Sequence, residues 1–387
     1  MSEATPLDLI DLDAQLSDEE RQIRDLAREW VRDRILPEVE DWYERGEFPA
    51  RELAKEIGEL GFFGMQLPGI GDLDAVAYGL VELELESGDS GLRSFVSVQS
   101  ALAMYAIHAY GSDEQKEHWL PRMASGDAIG CFGLSEPDSG SDPGSMRATA
   151  RRDGDDWIVN GTKMWITNGG VSDVAVVWAN TDDGIRGFLV PCDLPGFSAP
   201  DIHKKMSLRA SVTSELVMDD VRLPADAILP GGEGLRGPLG CLNEARYGIV
   251  WGVMGAARSC LETALEYSKT RIQFERPIAS FQLTQKKLVD MALELNKGTL
   301  LAYHLGRMKE EGTLRPEQVS VGKLNNTREA LKIARTSRGI LGANGITLEY
   351  PIMRHMTNLE SVITYEGTEE VHTLVIGEQL TGLKAFT

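Results

Sequence analysis

The spacing of hydrophobic positions changes twice along the 387 residues, and this divides the chain into three parts. Up to about residue 128, apolar residues recur every three or four positions, as the buried face of an amphipathic helix requires. The clearest case is 17–37, where Ser17 and Glu20 match a capping box and Pro37 ends the pattern. The same spacing predicts further helices at about 50–60, 74–88 and 93–109, and another from Ser112.

The middle of the chain has the pattern of short β-strands. Apolar runs alternate with Gly, Pro and Asp between about 131 and 230. Asn160 and Gly161 separate two of these runs and predict a hairpin turn. We therefore expect a small antiparallel β-domain, built as a barrel or a sandwich.

Helical spacing returns after residue 231 and predicts long helices at about 238–269, 280–311, 316–341 and 368–380. No internal repeat or low-complexity linker is present, so the three parts are expected to pack into one body. The predicted fold class is a multidomain α+β fold. It has an N-terminal helical domain at 1–130, a middle β-domain at 131–235 and a C-terminal helical bundle at 236–387.

Composition limits the functions that the chain can have. The net charge of −21 argues against binding to nucleic acid or to an anionic membrane, since both attract basic proteins. The four cysteines and six histidines show no metal-ligand spacing, so we predict reduced thiols and no metal site. No apolar run approaches the ~18 residues of a membrane span, and the first residues do not match a targeting signal. We predict a soluble, cytoplasmic protein.

Candidate chemistry is concentrated at 363–368. Gly367 breaks the helical pattern, and Thr368 followed by Glu369 and Glu370 is typical of a helix N-cap with acids in the first turn. Glu366 is therefore predicted to lie at a bend between two helices, where its carboxylate can face a cavity. Partial desolvation there would raise the pKa of a base that must remove a weakly acidic C–H proton. The alternative is a solvated acid near the start of a helix.

Two segments of the β-region carry groups suited to a flat, polar-edged ligand. The loop at 131–142 offers serine hydroxyls and backbone N–H groups, although a domain linker would have a similar composition. The strand end at 163–168 offers Trp165 as a stacking wall and Thr167 as a hydroxyl. The alternative for this strand is a core position with Trp165 buried.

These segments, together with 271–274, Gln282 and the turn at 341–345, resemble the acyl-CoA dehydrogenase family over nearly the whole chain. The resemblance implies a three-domain fold with FAD bound between the β-domain and the C-terminal helices, usually in a homotetramer. It also implies an electron-transfer flavoprotein as electron acceptor and Glu366 as the catalytic base. The residues implied to contact FAD are Phe132, Gly133, Leu134, Ser135, Gly140, Ser141, Trp165, Ile166, Thr167, Arg271, Gln273, Phe274, Gln282, Leu341, Gly342, Ala343, Thr368 and Glu370.

Part of this FAD-binding set is implied to reach the cofactor of a neighbouring subunit, namely 271–274, Gln282 and the turn at 341–345. Glu275 and Ala343 depart from the family pattern, in which glycine is usual at both positions.

The stretch 90–100 resembles the glutaryl-CoA dehydrogenase branch of the family. The resemblance implies that Arg93 binds the distal carboxylate of glutaryl-CoA, a task that suits a planar guanidinium. From spacing alone, the alternative is a surface arginine paired with Glu84 or Asp89. Further substrate contacts are implied for Glu86, Ser94, Ser141, Leu239, Gly240, Cys241, Leu242, Asn243, Glu244, Ala245, Arg246, Tyr365 and Gly367. The ending 385–387 also resembles this branch.

The function implied by the resemblance is oxidation of glutaryl-CoA to glutaconyl-CoA, which then loses CO2 to give crotonyl-CoA. Glu366 would remove the α-proton while the β-hydride leaves for the flavin. Tyr365 and Glu86 match the decarboxylating members of the branch. The main alternative is an acyl-CoA dehydrogenase that stops at the enoyl-CoA. A member that reacts directly with oxygen and a flavin-free helical scaffold are further alternatives.

Overall fold

The computed structural model describes residues 7–385, and the predicted order of helices, β-sheet and helices is confirmed. The ends of the chain at 1–6 and 386–387 lie outside the described residues, including most of the ending that resembles the branch. Within 7–385, no helix is long and apolar enough to cross a membrane. The boundaries placed at residues 130 and 235 stay predictions.

The N-terminal part contains seven α-helices within the described residues. The capping box at Ser17 is present, because its Oγ accepts from the Glu20 N–H at 3.1 Å and its own N–H donates to the Glu20 carboxylate at 2.6 Å. Two of the helices continue as π-helix, one over Val31–Ile35 and one over Val98–Met104. The helices are α1 (Asp18–Trp30), α2 (Val39–Arg45), α3 (Ala50–Glu59), α4 (Ala75–Gly88), α5 (Ser90–Ser97), α6 (Tyr105–Tyr110) and α7 (Asp113–Ala124).

Helix α4 lies at the centre of the molecule. It packs against α1 on one side and against a long C-terminal helix on the other, and all of its residues except Ser87 are buried. Three glutamates of α4 are therefore inside the protein, where each needs a partner or a proton.

The middle part is one eight-stranded sheet. Its strand order is β6-β7-β3-β2-β4-β5-β8, with β1 paired to β4. The strands are β1 (Gly130–Gly133), β2 (Thr149–Asp153), β3 (Asp156–Thr167), β4 (Val174–Thr181), β5 (Gly184–Pro191), β6 (Phe197–Ser198), β7 (Thr213–Leu223) and β8 (Ile228–Glu233).

The prediction of a wholly antiparallel sheet is wrong for β1. This strand runs parallel to β4, with Gly130 opposite Val174 and Gly133 opposite Val177. β2 is also parallel to β4 where the two meet. A parallel pair needs a long connection, and two strands and their loops separate β1 from β4 in the chain.

The predicted hairpin turn at Asn160 and Gly161 is also wrong, because β3 runs straight through both residues. The register of β3 against β7 shifts between Val159 and Gly161, so the pair marks a β-bulge. Asn160 holds the bulge: its side-chain oxygen accepts from the Asp220 N–H at 2.9 Å. The turn between β2 and β3 lies instead between Asp153 and Asp156.

The C-terminal part is a helical bundle with a small hairpin inserted near its start. The hairpin and the short N-terminal helix α2 were not predicted, and α11 was predicted only as the helix before the bend at Glu366, without bounds. The elements are α8 (Arg236–Thr270), β9 (Ile272–Gln273), β10 (Arg276–Pro277), α9 (Gln282–Glu310), α10 (Pro316–Leu341), α11 (Pro351–Val362) and α12 (Glu369–Thr381). Helix α8 packs along α4, so the N- and C-terminal helices share one core.

The bulge in β3 predicts that Gly161→Ala destabilises the protein by about 2 kcal/mol. Gly161 has a φ of 142°, and a Cβ there would lie 2.6 Å from the Ala148 Cβ. Urea unfolding of the variant and the natural protein measures this change. Gly339→Ala is the control, because Gly339 lies in α10 with no atom within 4 Å of an added Cβ. That change should be neutral or stabilise by up to about 1 kcal/mol. Equal effects of the two substitutions would contradict the argument.

Candidate active site

Glu366 lies in the turn between α11 and α12, at the predicted bend. Its backbone is left-handed with a φ of 52°, and Gly367 follows with a φ of 96°. Thr368 caps α12 as predicted, since its hydroxyl accepts from the Val371 N–H at 3.3 Å. A left-handed φ in a residue with a side chain costs of order 1–3 kcal/mol, so neighbouring groups must hold the turn.

Two cations hold this turn through its backbone. The Lys323 ammonium donates to the carbonyl oxygens of Tyr365 at 2.6 Å and of Gly367 at 2.7 Å. Arg246 Nε donates to the carbonyl oxygen of Glu366 at 2.6 Å. Three successive carbonyls therefore accept from the two cations. Burial lowers the pKa of both Lys323 and Arg246, and the nearby Glu366 carboxylate opposes that shift.

The side chain of Glu366 is left free by this arrangement. Its Oε2 is buried and has no hydrogen-bond partner among residues 7–385. Burial raises the pKa of Glu366, while Arg93, Lys323 and Arg246 oppose the rise. A carboxylate with a fixed backbone and an unpaired oxygen is suited to take a proton from a bound ligand.

Arg93 is buried beside this turn, with 1% of its surface exposed. Its Nε donates to Glu86 at 2.7 Å, and its Nη2 donates to the Tyr365 hydroxyl. Ser94 Oγ lies 3.3 Å from the same hydroxyl. The structure thus brings together Arg93, Ser94, Glu86 and Tyr365 next to Glu366.

The alternative of a surface arginine paired with Glu84 or Asp89 is wrong. Glu84 is ion-paired with Arg258 at 2.5 Å on another side of α4. Asp89 caps α5 by accepting from the Gly91 N–H at 2.6 Å, and it also accepts from Arg354 of α11 at 2.6 Å. This second pair fixes α5, which carries Arg93, against the helix that leads to Glu366.

Trp165 is exposed at the end of β3, so the alternative of a buried core position is wrong. Its exposed fraction is 61% and its φ is 64°. The register between β3 and β7 shifts between Lys163 and Ile166, and this bulge turns the indole out of the sheet. Thr167 beside it is half-buried, while Ile166 points into the core.

The loop after β1 is tied to the same strand. The Met164 N–H donates to the Ser135 carbonyl at 2.9 Å, and the buried Lys163 donates to Glu136 at 2.8 Å. Ser135 is half-buried near Trp165. The other predicted ligand residues of this loop divide into buried Phe132, Gly133 and Leu134 and exposed Gly140 and Ser141.

The end of β3 and the turn that carries the base are each joined to α5, the turn through Arg93 and Tyr365. The Asn168 amide donates to the Phe95 carbonyl at 3.4 Å, two residues beyond Arg93 in the same helix. A second connection joins the β-domain to α11, where the Leu208 N–H donates to Asn358 Oδ1 at 2.7 Å. These two bonds join the β-domain to α5, which carries Arg93, and to α11, which leads to Glu366.

The predicted substrate-binding run at the start of α8 faces several directions. Leu239 is exposed, whereas Cys241 and Ala245 have no exposed surface. Glu244 is ion-paired with Lys309 at 2.7 Å. Gly240, Leu242 and Asn243 are partly exposed, and Asn243 accepts from Arg246 at 3.2 Å. The predicted role of this run in binding substrate stays a prediction.

A second group of predicted ligand residues lies far from Glu366. Asn344 of the turn after α10 donates to Tyr267 near the end of α8, so the turn and the β9–β10 hairpin share one end of the bundle. Lys323, which holds the Glu366 turn, is about 27 Å from Leu341 along α10, at about 1.5 Å rise per residue. Within one chain these residues cannot join Glu366 in one small site. The group comprises Arg271, Gln273, Phe274, Gln282, Leu341, Gly342 and Ala343.

Within this second group, Phe274 is 87% exposed. Glu275 has a φ of 64°, the left-handed conformation that glycine adopts most easily, so the hairpin keeps a turn that favours glycine. Near the Glu366 turn, Thr368 is occupied as a helix cap and Glu370 is exposed in the first turn of α12.

Sequence reasoning missed two ionisable residues of the site, Lys323 and Glu82. Lys323 shares the buried face of α10 with Val319 and Asn326, four residues before and three after it. Glu82 lies among apolar residues in α4. An ionisable residue at the spacing of a buried helix face was the available signal in both cases.

Comparison with known proteins gives matches over nearly the whole chain. Models of the N-terminal, middle and C-terminal domains of acyl-CoA dehydrogenases match residues 17–127, 131–221 and 232–381. A crystal structure of glutaryl-CoA dehydrogenase from Mycobacterium smegmatis is 68% identical, with a TM-score of 0.97 over 98% of this chain and 99% of that chain.

Two further relatives are named for different acyl-CoA substrates. A glutaryl-CoA dehydrogenase from Mycobacterium smegmatis in complex with FADH2 is 61% identical, with a TM-score of 0.97 over 99% of each chain. The mitochondrial short-chain specific acyl-CoA dehydrogenase of Bos taurus is 35% identical over 382 residues, which cover 96% of this chain and 92% of the relative.

The hydrogen bonds from Lys323 predict that Lys323→Met lowers the free energy of unfolding by about 2 kcal/mol, because it leaves two turn carbonyls without a donor. Urea unfolding again provides the measurement. Lys332→Met on the same helix is the matched control, since Lys332 is exposed and its pair with Glu329 contributes less than about 1 kcal/mol. An unchanged stability of Lys323→Met would show that the turn holds its shape without this residue.

Proposed function

The chain belongs to the acyl-CoA dehydrogenase family, and from this premise we propose that it is an FAD-dependent enzyme that oxidises glutaryl-CoA. The observation that carries the proposal is that Arg93 donates to the hydroxyl of Tyr365, the residue directly before Glu366. A buried guanidinium that can bind a carboxylate lies on one side of this tyrosine, and an unpaired base follows it in the chain. The identity of 68% to a glutaryl-CoA dehydrogenase supports this choice of substrate.

The residues at the end of β3 fit FAD. An exposed indole in a strained conformation provides a flat apolar face, and Thr167 and Ser135 offer hydrogen bonds to a polar ring edge. When bound, FAD would accept the hydride from the β-carbon of the substrate. The second group of predicted ligand residues would serve the FAD of another copy, which agrees with the homotetramer expected from the family resemblance.

Glu366 would act as the base that removes the α-proton. The negative charge that develops on the thioester oxygen needs a hydrogen-bond donor. The Glu366 N–H is available for this task, since it makes no backbone hydrogen bond among the described residues. Lys323 and Arg246 would keep that N–H and the carboxylate in fixed relative positions.

We further propose that oxidation is followed by decarboxylation to crotonyl-CoA. In that step the bond between the γ-carbon and the carboxylate breaks, CO2 leaves, and the electron pair remains as a dienolate. Glu366, protonated by the first step, would return its proton to the γ-carbon. Glu86 supports this proposal because its charge at 2.7 Å competes with the substrate carboxylate for Arg93. A strongly held carboxylate would leave less readily as neutral CO2.

The alternative is a short-chain acyl-CoA dehydrogenase that stops at the enoyl-CoA, as the bovine relative suggests. The identities argue against this alternative, because the chain is 68% identical to a glutaryl-CoA dehydrogenase and 35% identical to the bovine short-chain enzyme. An electron-transfer flavoprotein as electron acceptor stays a prediction from the family resemblance.

Product analysis tests the substrate and the decarboxylation together. We expect purified enzyme with glutaryl-CoA and an artificial electron acceptor to give crotonyl-CoA and CO2, detected by mass spectrometry. Arg93→Lys should lower kcat/KM for glutaryl-CoA by about a hundredfold, because one ammonium cannot replace the planar guanidinium. The same variant should change kcat/KM for butyryl-CoA much less. Glutaconyl-CoA as the sole product would show that the enzyme does not decarboxylate its substrate. Oxidation of butyryl-CoA without oxidation of glutaryl-CoA would favour the short-chain acyl-CoA dehydrogenase.

Glu366→Gln should lower kcat for glutaryl-CoA by about a thousandfold or more, because the amide cannot accept the α-proton. The FAD content should stay unchanged, and Glu369→Gln is the neighbouring control. In the natural enzyme, kcat/KM should fall as pH falls through the raised pKa of Glu366, since the base must be ionised. A pH–rate profile in steady-state assays checks this, and a variant that retained full turnover would exclude Glu366 as the base.

A further inference from the structure

Glu82 is a buried acid next to Arg93 to which the proposed mechanism gives no role. It lies on α4 one turn before Glu86 and has no exposed surface. Its Oε2 is 4.0 Å from Arg93 Nε, whereas Glu86 Oε2 is 2.7 Å from the same nitrogen. Glu86 also accepts from Ser90 Oγ at 2.9 Å. Of the two acids, Glu86 is therefore the ionised partner of Arg93.

Neither carboxyl oxygen of Glu82 has a hydrogen-bond partner among residues 7–385. Helix α8 offers no donor there, because it presents Gly248, where an added Cβ would lie 3.2 Å from Glu82 Oε2. The Tyr78 hydroxyl faces the same glycine. In the described part of the chain, the Tyr78 hydroxyl is the one neutral donor beside Glu82, and a buried carboxyl group with so little hydrogen bonding is more stable as the neutral acid than as the anion.

The charges around Glu82 favour the same state. The titratable groups that face it are Tyr78 and Glu86 on α4, Arg93 on α5, and Glu366 in the turn before α12. Burial raises the pKa of Glu82 to about 8; Arg93 and the Tyr78 hydroxyl oppose the rise, and Glu86 and Glu366 add to it. Arg93 is the nearest cation, and Glu86 already neutralises it.

We propose that Glu82 is a positioning residue that stays protonated, so that Arg93 can bind the substrate carboxylate in addition to Glu86. This inference rests on the proposed function, since it needs a carboxylate at Arg93. If Glu82 ionised, three carboxylates would share one guanidinium and the substrate would be the one released. Selectivity for an acyl chain with a distal carboxylate would therefore be lost at high pH.

The test compares glutaryl-CoA with butyryl-CoA, using holoenzyme of the natural protein and of Glu82→Gln. The quantity measured is the ratio of kcat/KM for the two substrates between about pH 6.5 and about pH 9.5, around the value for Glu82. The titration of Glu366 affects both substrates and cancels in the ratio. We expect the ratio to fall by up to about tenfold per pH unit above about pH 8 in the natural enzyme. In Glu82→Gln, which mimics the neutral acid, it should stay level.

A pH-independent ratio in the natural enzyme, or an equal fall in Glu82→Gln, would overturn the inference. If the ratio favours glutaryl-CoA at pH 7 but does not change with pH, the proposed function stands and only the role of Glu82 fails. If the enzyme does not prefer glutaryl-CoA at any pH, both the proposed function and this inference fail.

Infrared spectroscopy gives a second readout that does not depend on turnover. The natural holoenzyme should show the carbonyl band of a buried protonated carboxyl group, and that band should disappear as pH rises through about 8. The band should be missing from Glu82→Gln. A spectrum of the natural protein without such a band would exclude the protonated state, even if the variant failed to fold.

Discussion

The hydrogen bonds from Lys323 and Arg246 to three successive carbonyls are the interaction on which the site depends. They hold Glu366 in a conformation that an isolated chain would rarely adopt, and they do so without using its carboxylate. The dependence is mutual. Both cations are inside the protein, where the charge of Glu366 is their nearest compensation. Glu366, Lys323 and Arg246 therefore compensate one another's charge, and burying any one of them alone would cost free energy.

The residue proposed to bind the substrate carboxylate and the residue proposed to act as base belong to different elements, which meet at Tyr365. Arg93 belongs to α5, whose first turn is capped by Asp89, and Asp89 in turn binds Arg354 of α11. The helix that positions the guanidinium is thus fixed against the helix that ends at the base. The exposed indole of Trp165 adds a third element, tied to α5 through Asn168 and Phe95. A displacement of α5 would disturb all three together.

Local patterns predicted most of this fold. Long helices such as α8 and α10 were found by their spacing, and Glu366 was found because Gly367 and Thr368 mark a helix break. The hairpin turn predicted at Asn160 and Gly161 is wrong because a β-bulge and a hairpin turn favour the same residues. The partner of β1, the burial of Arg93 and the role of Lys323 depend on contacts between segments distant in the chain. Local patterns do not reveal the first two features, and for the third they give only the position of Lys323 on the buried face of α10.

The close approach of α4 and α8 restricts how this site can change during evolution. A side chain at Gly252 would place its Cβ 2.2 Å from Glu86 Oε2, and one at Gly255 would place it 1.9 Å from a backbone carbonyl oxygen. Position 255 is therefore closed to change as long as the helices pack in this way. Position 252 could accept a side chain only if the Glu86 carboxylate moved away, and that movement would disturb its ion pair with Arg93. A side chain at position 252 would therefore alter the site that holds Arg93, whereas one at position 255 would separate the two central helices.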